Sequence, residues 1–399
     1  MNPRSFGRTF PRPSARAFPI TEFSAKALSV RALSVAALSL FPAACGQGSD
    51  SPRASSQPFA EAPPPSLAPA ATPEMTAWVE ETLASLSLEE KVGQLICSDI
   101  YGEYRSDGDP DLQRWIRLAR DHGLGMFVLY GGTPRDVAHL LNRLQAEADV
   151  PILFSSDFEG GPGQQVMGAS EFPANLAFSA AGSDDLMYRA ASVAAAEGRA
   201  MGIHLTYTPV VDISTQPANP AQSVRSFGGD PDLLARMVRA YVRGFHENGM
   251  LTTAKHFPGR GDIEVMPANA PWTWINKPAP AVEAEDFRAF RDAIDAGVDF
   301  VMSEHIAIPS VTDGSELPAS VEPKLASGWL RDRLGFEGVL TSDDLWYDHV
   351  VERFGAEEVA VMAFEAGHDI ILKPKDPVAT IRALVLAVQS GRITEARVD

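Results

Sequence analysis

From Thr76 onward, apolar residues recur in two alternating patterns. One is short and continuous: GMFVLY (125–130), PILFSSD (151–157), HLTYTPVVD (204–212), LTTAKH (251–256), DFVMSEH (299–305), GVLTSDD (338–344) and HDIILK (368–373). The other spreads its apolar positions at helical spacing, as in PRDVAHLLNRLQAEA, DDLMYRAASVAAAEGRAMG and PDLLARMVRAYVRGFHENG. The first pattern predicts buried strands and the second amphipathic helices. AWVEETLASLSLEEKVGQLI also reads as helical, with Ser87 heading SLEE as an N-cap with its capping acid.

Strands that are apolar throughout and separated by helices belong to a parallel sheet covered on both faces. Seven or eight such units over about 320 residues predict an α/β fold of the (β/α)8 TIM-barrel type, one catalytic domain over 76–399. No GxGxxG follows a strand, so a dinucleotide-binding sheet loses its main support. The strand runs end on polar residues: Asp157 with Glu159, Asp212, Lys255 with His256, Glu304 with His305, and Asp343 with Asp344. In a parallel barrel these ends converge on one rim, where active sites are built. For Asp212 a helix cap is an equally open reading.

Composition narrows the partners. The chain of 399 residues carries a formal charge of −18, from 34 basic and 52 acidic residues. Such an acidic balance excludes nucleic acid as the main partner, because little would release counterions from phosphates. The eight histidines show no HExxH or comparable spacing, so neither a metal nor a cofactor is predicted. Ahead of the barrel, residues 1–45 combine a basic region with ALSVAALSLFPAAC (32–45), the shape of a secretory signal. Cys45, after two alanines, is a candidate acylation site and lipid anchor, although Pro42 stands where a leucine is usual. Residues 46–75, dense in Pro, Ser and Ala, predict a disordered tether. The chain is thus expected to be exported, either periplasmic or held at a membrane as a lipoprotein. Cys97 is the only other cysteine, so no intrachain disulfide is expected, and it reads as a small core residue.

The motifs SDFEGG, RSFGGDP, KHFPGRGD and TSDDL, as an ordered set, make the chain similar to glycoside hydrolase family 3, and within it to bacterial β-N-acetylhexosaminidases, over about residues 78–399. The resemblance implies a retaining mechanism on β-linked N-acetylhexosamine in cell-wall or chitin-type fragments, with carbohydrate as the partner. It implies that Asp343 is the nucleophile, a carboxylate being suited to form a glycosyl ester that water later cleaves. Asp344 is the alternative nucleophile or a residue that orients the loop. Asp157, Arg225, Lys255 and His256 match sugar-binding positions, with a buried structural histidine as the plainer reading of His256. In the family the chain also runs on past the point that corresponds to Asp399.

Two departures from the family pattern matter. Where the family places an Asp-Ser-His segment whose His–Asp pair moves the proton, this chain has Met266, Pro267 and Ala268, none of which can do so. Arg260 stands where histidine is usual, and Gln165 where the family has an arginine. Three readings follow. Another acid donates the proton: Glu304 at a strand end, or Asp262 or Glu264 on the loop. Alternatively, a transfer or phosphorolytic reaction reduces the need for one. The third reading is a non-hydrolytic sugar-binding lipoprotein. Without any donor, cleavage would depend steeply on the acidity of the leaving group.

Overall fold

The computed structural model describes residues 72–399, except 217, 218, 220–222, 262 and 264–272. The expected signal, Cys45 and the tether through residue 71 lie outside the described residues, as do Asp262, Glu264, Met266, Pro267 and Ala268.

Eight parallel strands form the sheet: β1 (Ile96–Tyr101), β2 (Met126–Tyr130), β3 (Leu153–Ser156), β4 (Leu205–Thr206), β5 (Leu251–Phe257), β6 (Phe300–Ser303), β7 (Val339–Ser342) and β8 (Ile371–Leu372). They are hydrogen-bonded in chain order, and β8 returns to pair with β1 (Ile96 with Ile371). A bridge between Thr341 and Ile370 joins β7 to β8 and completes the circuit. This is the TIM-type barrel that the alternating pattern predicts.

The continuous apolar runs serve two cores at once. On β2, Met126 and Val128 point into the barrel with Cys97, Leu205, Tyr207 and Met302, whereas Phe127 and Leu129 face the helical layer. Both faces of each strand are therefore buried, which removes the polar alternation of a one-sided sheet. Helices such as Pro134–Glu147, Asp184–Met201 and Pro231–His246 occupy the runs read as helical.

The N-terminal run divides differently from the expectation. It forms two helices, Pro73–Ser85 and Leu88–Gln94, so ordered structure starts ahead of Thr76. The break falls at Ser87, which accepts from the Glu90 backbone N–H (3.3 Å) while Glu90 Oε2 accepts from the Ser87 N–H (2.8 Å). That reciprocal capping box starts a new helix instead of continuing the old one. The sequence ICSDIY directly after it is β1, a strand that the apolar pattern does not mark, because Ser98 and Asp99 interrupt it and no glycine or proline separates it from the helix.

Candidate active site

All eight strands present their C-terminal ends on one rim, and the polar strand-end residues surround a cavity of about 300 Å³. Asp157, Arg225, Lys255, His256 and Asp343 line it, as does Asp344. Glu159, Gln164, Gln165, Tyr130 and Tyr347 complete much of the wall.

The adjacency of Lys255 and His256 has a local cause. Neighbours on a strand normally point to opposite faces. Here Lys255 pairs with Met302 and Phe257 with Ser303, so His256 is an extra residue opposite a single step of β6. A bulge of this kind re-aims a side chain, and both Lys255 and His256 reach the cavity.

Two charged groups result. In the first, Lys255 Nζ lies 2.7 Å from Asp157 Oδ1 and 2.8 Å from Glu159 Oε1, while Arg225 clamps Glu159 through Nε (2.8 Å) and Nη2 (2.7 Å). Burial works against the Glu159 charge, but Lys255 and Arg225 outweigh it and hold this carboxyl well below the usual range. For Lys255 burial also opposes the charge, and Asp157 and Glu159 reverse the balance, raising its pKa. Glu159 thus holds two cations in place, while Asp157, the more exposed carboxylate, faces the cavity beside them.

In the second group, Asp212 is not a helix cap. Its Oδ2 lies 2.8 Å from His256 Nδ1, and its Oδ1 accepts from the backbone N–H of His256 (3.2 Å) and of Arg260 (2.8 Å). Burial, then the charges of Arg260, Arg225 and Lys255, push the His256 pKa well below the imidazole range, so the ring is neutral. The loop after β5 folds tightly against this carboxylate. A Cβ on Gly261 would stand 2.0 Å from the Ile213 carbonyl oxygen, and Gly259 has φ +126° with Asp286 against it, so both positions require glycine.

That fold turns the Arg260 side chain under the cavity. Its Nη2 donates to Asp343 Oδ2 at 3.0 Å, and the guanidinium also pairs with Glu304. Asp343 Oδ1 accepts from the Asp344 backbone N–H at 2.7 Å. Both Asp343 oxygens are therefore oriented by donors.

Glu304 is placed differently from the expectation of a proton donor facing substrate. It is fully buried and absent from the cavity wall. One of its oxygens accepts from the His305 N–H (2.7 Å) and the other is taken by Arg260. His256, Glu304 and Asp343 bring ligand-type atoms within 4.8 Å of one another, the one such trio among the described residues. Arg260, bound to both carboxylates, already supplies the positive charge that a metal would bring there.

Lys373 and Tyr130 are site residues that the sequence reading passed over. Both stand at strand ends, the signal that marked the others. Lys373 Nζ lies 2.7 Å from Asp344 Oδ2 and 3.3 Å from the Tyr130 hydroxyl.

Residues 87–399 match the model of the glycosyl hydrolase family 3 N-terminal domain. The chain belongs to this family. It is 34% identical to a β-N-acetylglucosaminidase/β-glucosidase of Cellulomonas fimi, over 81% of this chain and 57% of that protein. It is 32% identical to a β-hexosaminidase of Xanthomonas oryzae pv. oryzae, over 65% of this chain and 78% of that one. The solved family 3 β-N-acetylglucosaminidase of Paenibacillus sp. str. FPU-7 superposes with a TM-score of 0.73 at 36% identity, covering 79% of this chain and 60% of that one. This chain therefore spans less than two thirds of the Cellulomonas and Paenibacillus proteins.

Proposed function

We propose that this barrel is a retaining glycoside hydrolase that removes β-linked N-acetylhexosamine from glycan or cell-wall fragments through a glycosyl ester on Asp343. One observation carries the reading: Asp343 stands in the wall of a polar cavity of sugar size, with Arg260 3.0 Å from one oxygen and the Asp344 N–H 2.7 Å from the other. A carboxylate held by two donors is fixed in its orientation, as a nucleophile attacking an anomeric carbon must be. Asp157, Lys255 and Arg225 supply fixed donors and acceptors to sugar hydroxyls. The relatives named as N-acetylglucosaminidases and hexosaminidases support the choice of sugar.

The same proposal has the chain exported and acylated on Cys45, on the strength of the pattern in residues 1–45.

Incubation with a 5-fluoro N-acetylglucosaminyl fluoride, then proteolysis and mass spectrometry, tests the function. A glycosyl adduct on the peptide carrying Asp343 is expected; slow, unlabelled release of sugar would overturn the mechanism, and binding without either would leave a lectin.

A further inference from the structure

The site has a nucleophile and a sugar floor, and Glu304, the described acid expected to move the proton, has both oxygens committed behind Arg260. A donor must reach the leaving oxygen directly or through one water. Among the described carboxylates of the wall, Glu159 is clamped by both Lys255 and Arg225, and the reading above gives Asp157 to sugar hydroxyls and Asp343 to the attack. The wall then offers Asp344.

Asp344 is held in a way that suits proton transfer. Both of its side-chain hydrogen bonds fall on Oδ2, from Lys373 Nζ at 2.7 Å and from Trp346 Nε1 at 3.0 Å. Among the described residues Oδ1 takes none, which leaves it free for a proton on a side chain that lines the cavity. The backbone is fixed from two sides: its N–H donates to Asp343 Oδ1, and its carbonyl oxygen lies 3.0 Å from His305 Nε2. Lys373 adds a sign of functional constraint. It is a non-glycine residue at φ +45°, a conformation that persists where surroundings over-determine it and that clusters at active sites. Its ammonium sits 4.8 Å from the Tyr130 ring and 5.4 Å from the Trp346 ring, held between two strand-end loops.

From this geometry we infer that Asp344 is the general acid and base of the reaction, with Lys373 and Trp346 as its positioning residues. The inference rests on the glycosidase reading above. In the first step an Asp343 oxygen bonds to the anomeric carbon. The bond to the leaving oxygen breaks with its electron pair, and the Asp344 carboxyl gives that oxygen its proton. In the second step a water oxygen bonds to the same carbon. Asp344, now a carboxylate beside the Lys373 ammonium, takes the water proton, and the ester pair returns to Asp343.

The electrostatics agree. Burial and then the Asp343 charge raise the Asp344 pKa to about 6, against the lowering effect of Lys373 and Trp346. The other groups facing it or its partners are Arg260 on the β5 loop, His305 after β6, Tyr130 on β2 and Asp99 on β1, which acts through Lys373. His305 is held neutral by burial, with a pKa of about 4. Tyr130 stays a phenol, its pKa raised by burial and by nearby carboxylates.

The test is Asp344→Asn in the full chain, assayed on a dinitrophenyl and a methyl N-acetylglucosaminide. Turnover of the methyl glycoside is expected to fall about 10²–10⁴-fold. The dinitrophenyl substrate should still give a burst of phenol followed by slow turnover. Azide should speed that slow phase and yield the β-glycosyl azide, because an anion needs no base to attack. Lys373→Met should move the basic limb of the pH–rate profile to higher pH, since both of its effects on Asp344 lower the pKa. Glu304→Gln should give no glycosyl azide. If Asp344→Asn still accepts the fluorosugar label on Asp343, yet shows equal losses on both substrates and no azide product, the assignment is overturned. If the wild type takes no label at all, the glycosidase reading has failed instead.

Discussion

Arg260 and Asp343, 83 residues apart in the chain, meet at 3.0 Å beneath the cavity, and Arg260 holds Glu304 with the same guanidinium. A planar fork can bridge two carboxylates in a way that a point charge cannot. Arg260→Met would leave Glu304 buried and unpaired a few ångströms from Asp343. Loss of one partner of a buried pair costs about 3–5 kcal/mol, so urea denaturation should show a drop of that order. Arg260→Lys should recover only part of it, and adding Glu304→Gln to Arg260→Met should recover more.

Asp343→Asn should remove turnover and leave affinity for N-acetylglucosamine within about threefold, because the amide keeps the shape of the group but cannot form the ester. Glu304 continues to neutralise Arg260 in this variant, so the fold is expected to survive. Calorimetry alongside a release assay reads both quantities. A turnover only a few-fold lower would show that Asp343 is not the nucleophile.

Gly261→Ala should lower both stability and activity. The added methyl carbon would fall 2.0 Å from the Ile213 carbonyl oxygen, so the loop must lift and carry Arg260 away from Asp343. Overpacking of this kind costs typically about 1–3 kcal/mol. Gly314→Ala is a control of the opposite kind, since its φ is +85° and nothing lies within 4 Å of the added carbon, so it brings backbone strain without a clash. It should lose stability with no loss of turnover per folded molecule.

Stability should fall as pH drops below about 6.5. Burial holds four histidines neutral: His204 and His305 with pKa about 4, His368 about 3, and His256 well below the ordinary value. The unfolded chain takes up these protons near pH 6.5 and the folded chain does not, so stability is complete above that pH and is lost toward pH 4. Each proton withheld contributes about 1.4 kcal/mol per pH unit. Below pH 6 the slope is reduced, because Asp286 and Asp344, raised to about 6 by burial, are protonated earlier in the folded state. Denaturation at pH 7.5 and 5.5 measures the difference, and His368→Gln should shrink it. A loss of packing alone would shift both values equally.

Much of this site was legible because strand ends in a parallel barrel share one rim. The seven apolar runs locate seven strands, and their polar termini supply Asp157, Lys255, His256 and Asp343 without any three-dimensional information. Which cation pairs with which carboxylate is a different matter. Asp212 meets His256 across 44 residues and Arg225 meets Glu159 across 66, and strand order alone does not decide such partners. The same limit applies to Glu304, whose strand-end position is that of its neighbours but whose oxygens turn away under Arg260. Lys373 ends the last apolar run and was open to the same reasoning. Ile96–Tyr101 was not, since the buried Ser98 and the half-buried Asp99 break its apolar run.

The single extra residue in β5 changes the parity of the strand. Ala254 and Phe257, three positions apart, both face the helical layer, while Lys255 and His256 between them face the other way. In an unbulged strand, such an odd separation would put one of the outer pair inside the barrel. Removing either Lys255 or His256 would restore regular alternation, with Ala254 and Phe257 still against the helices and one inward side chain left between them. The inserted residue therefore doubles what this strand end can present: two adjacent side chains enter the cavity where a regular strand would deliver one.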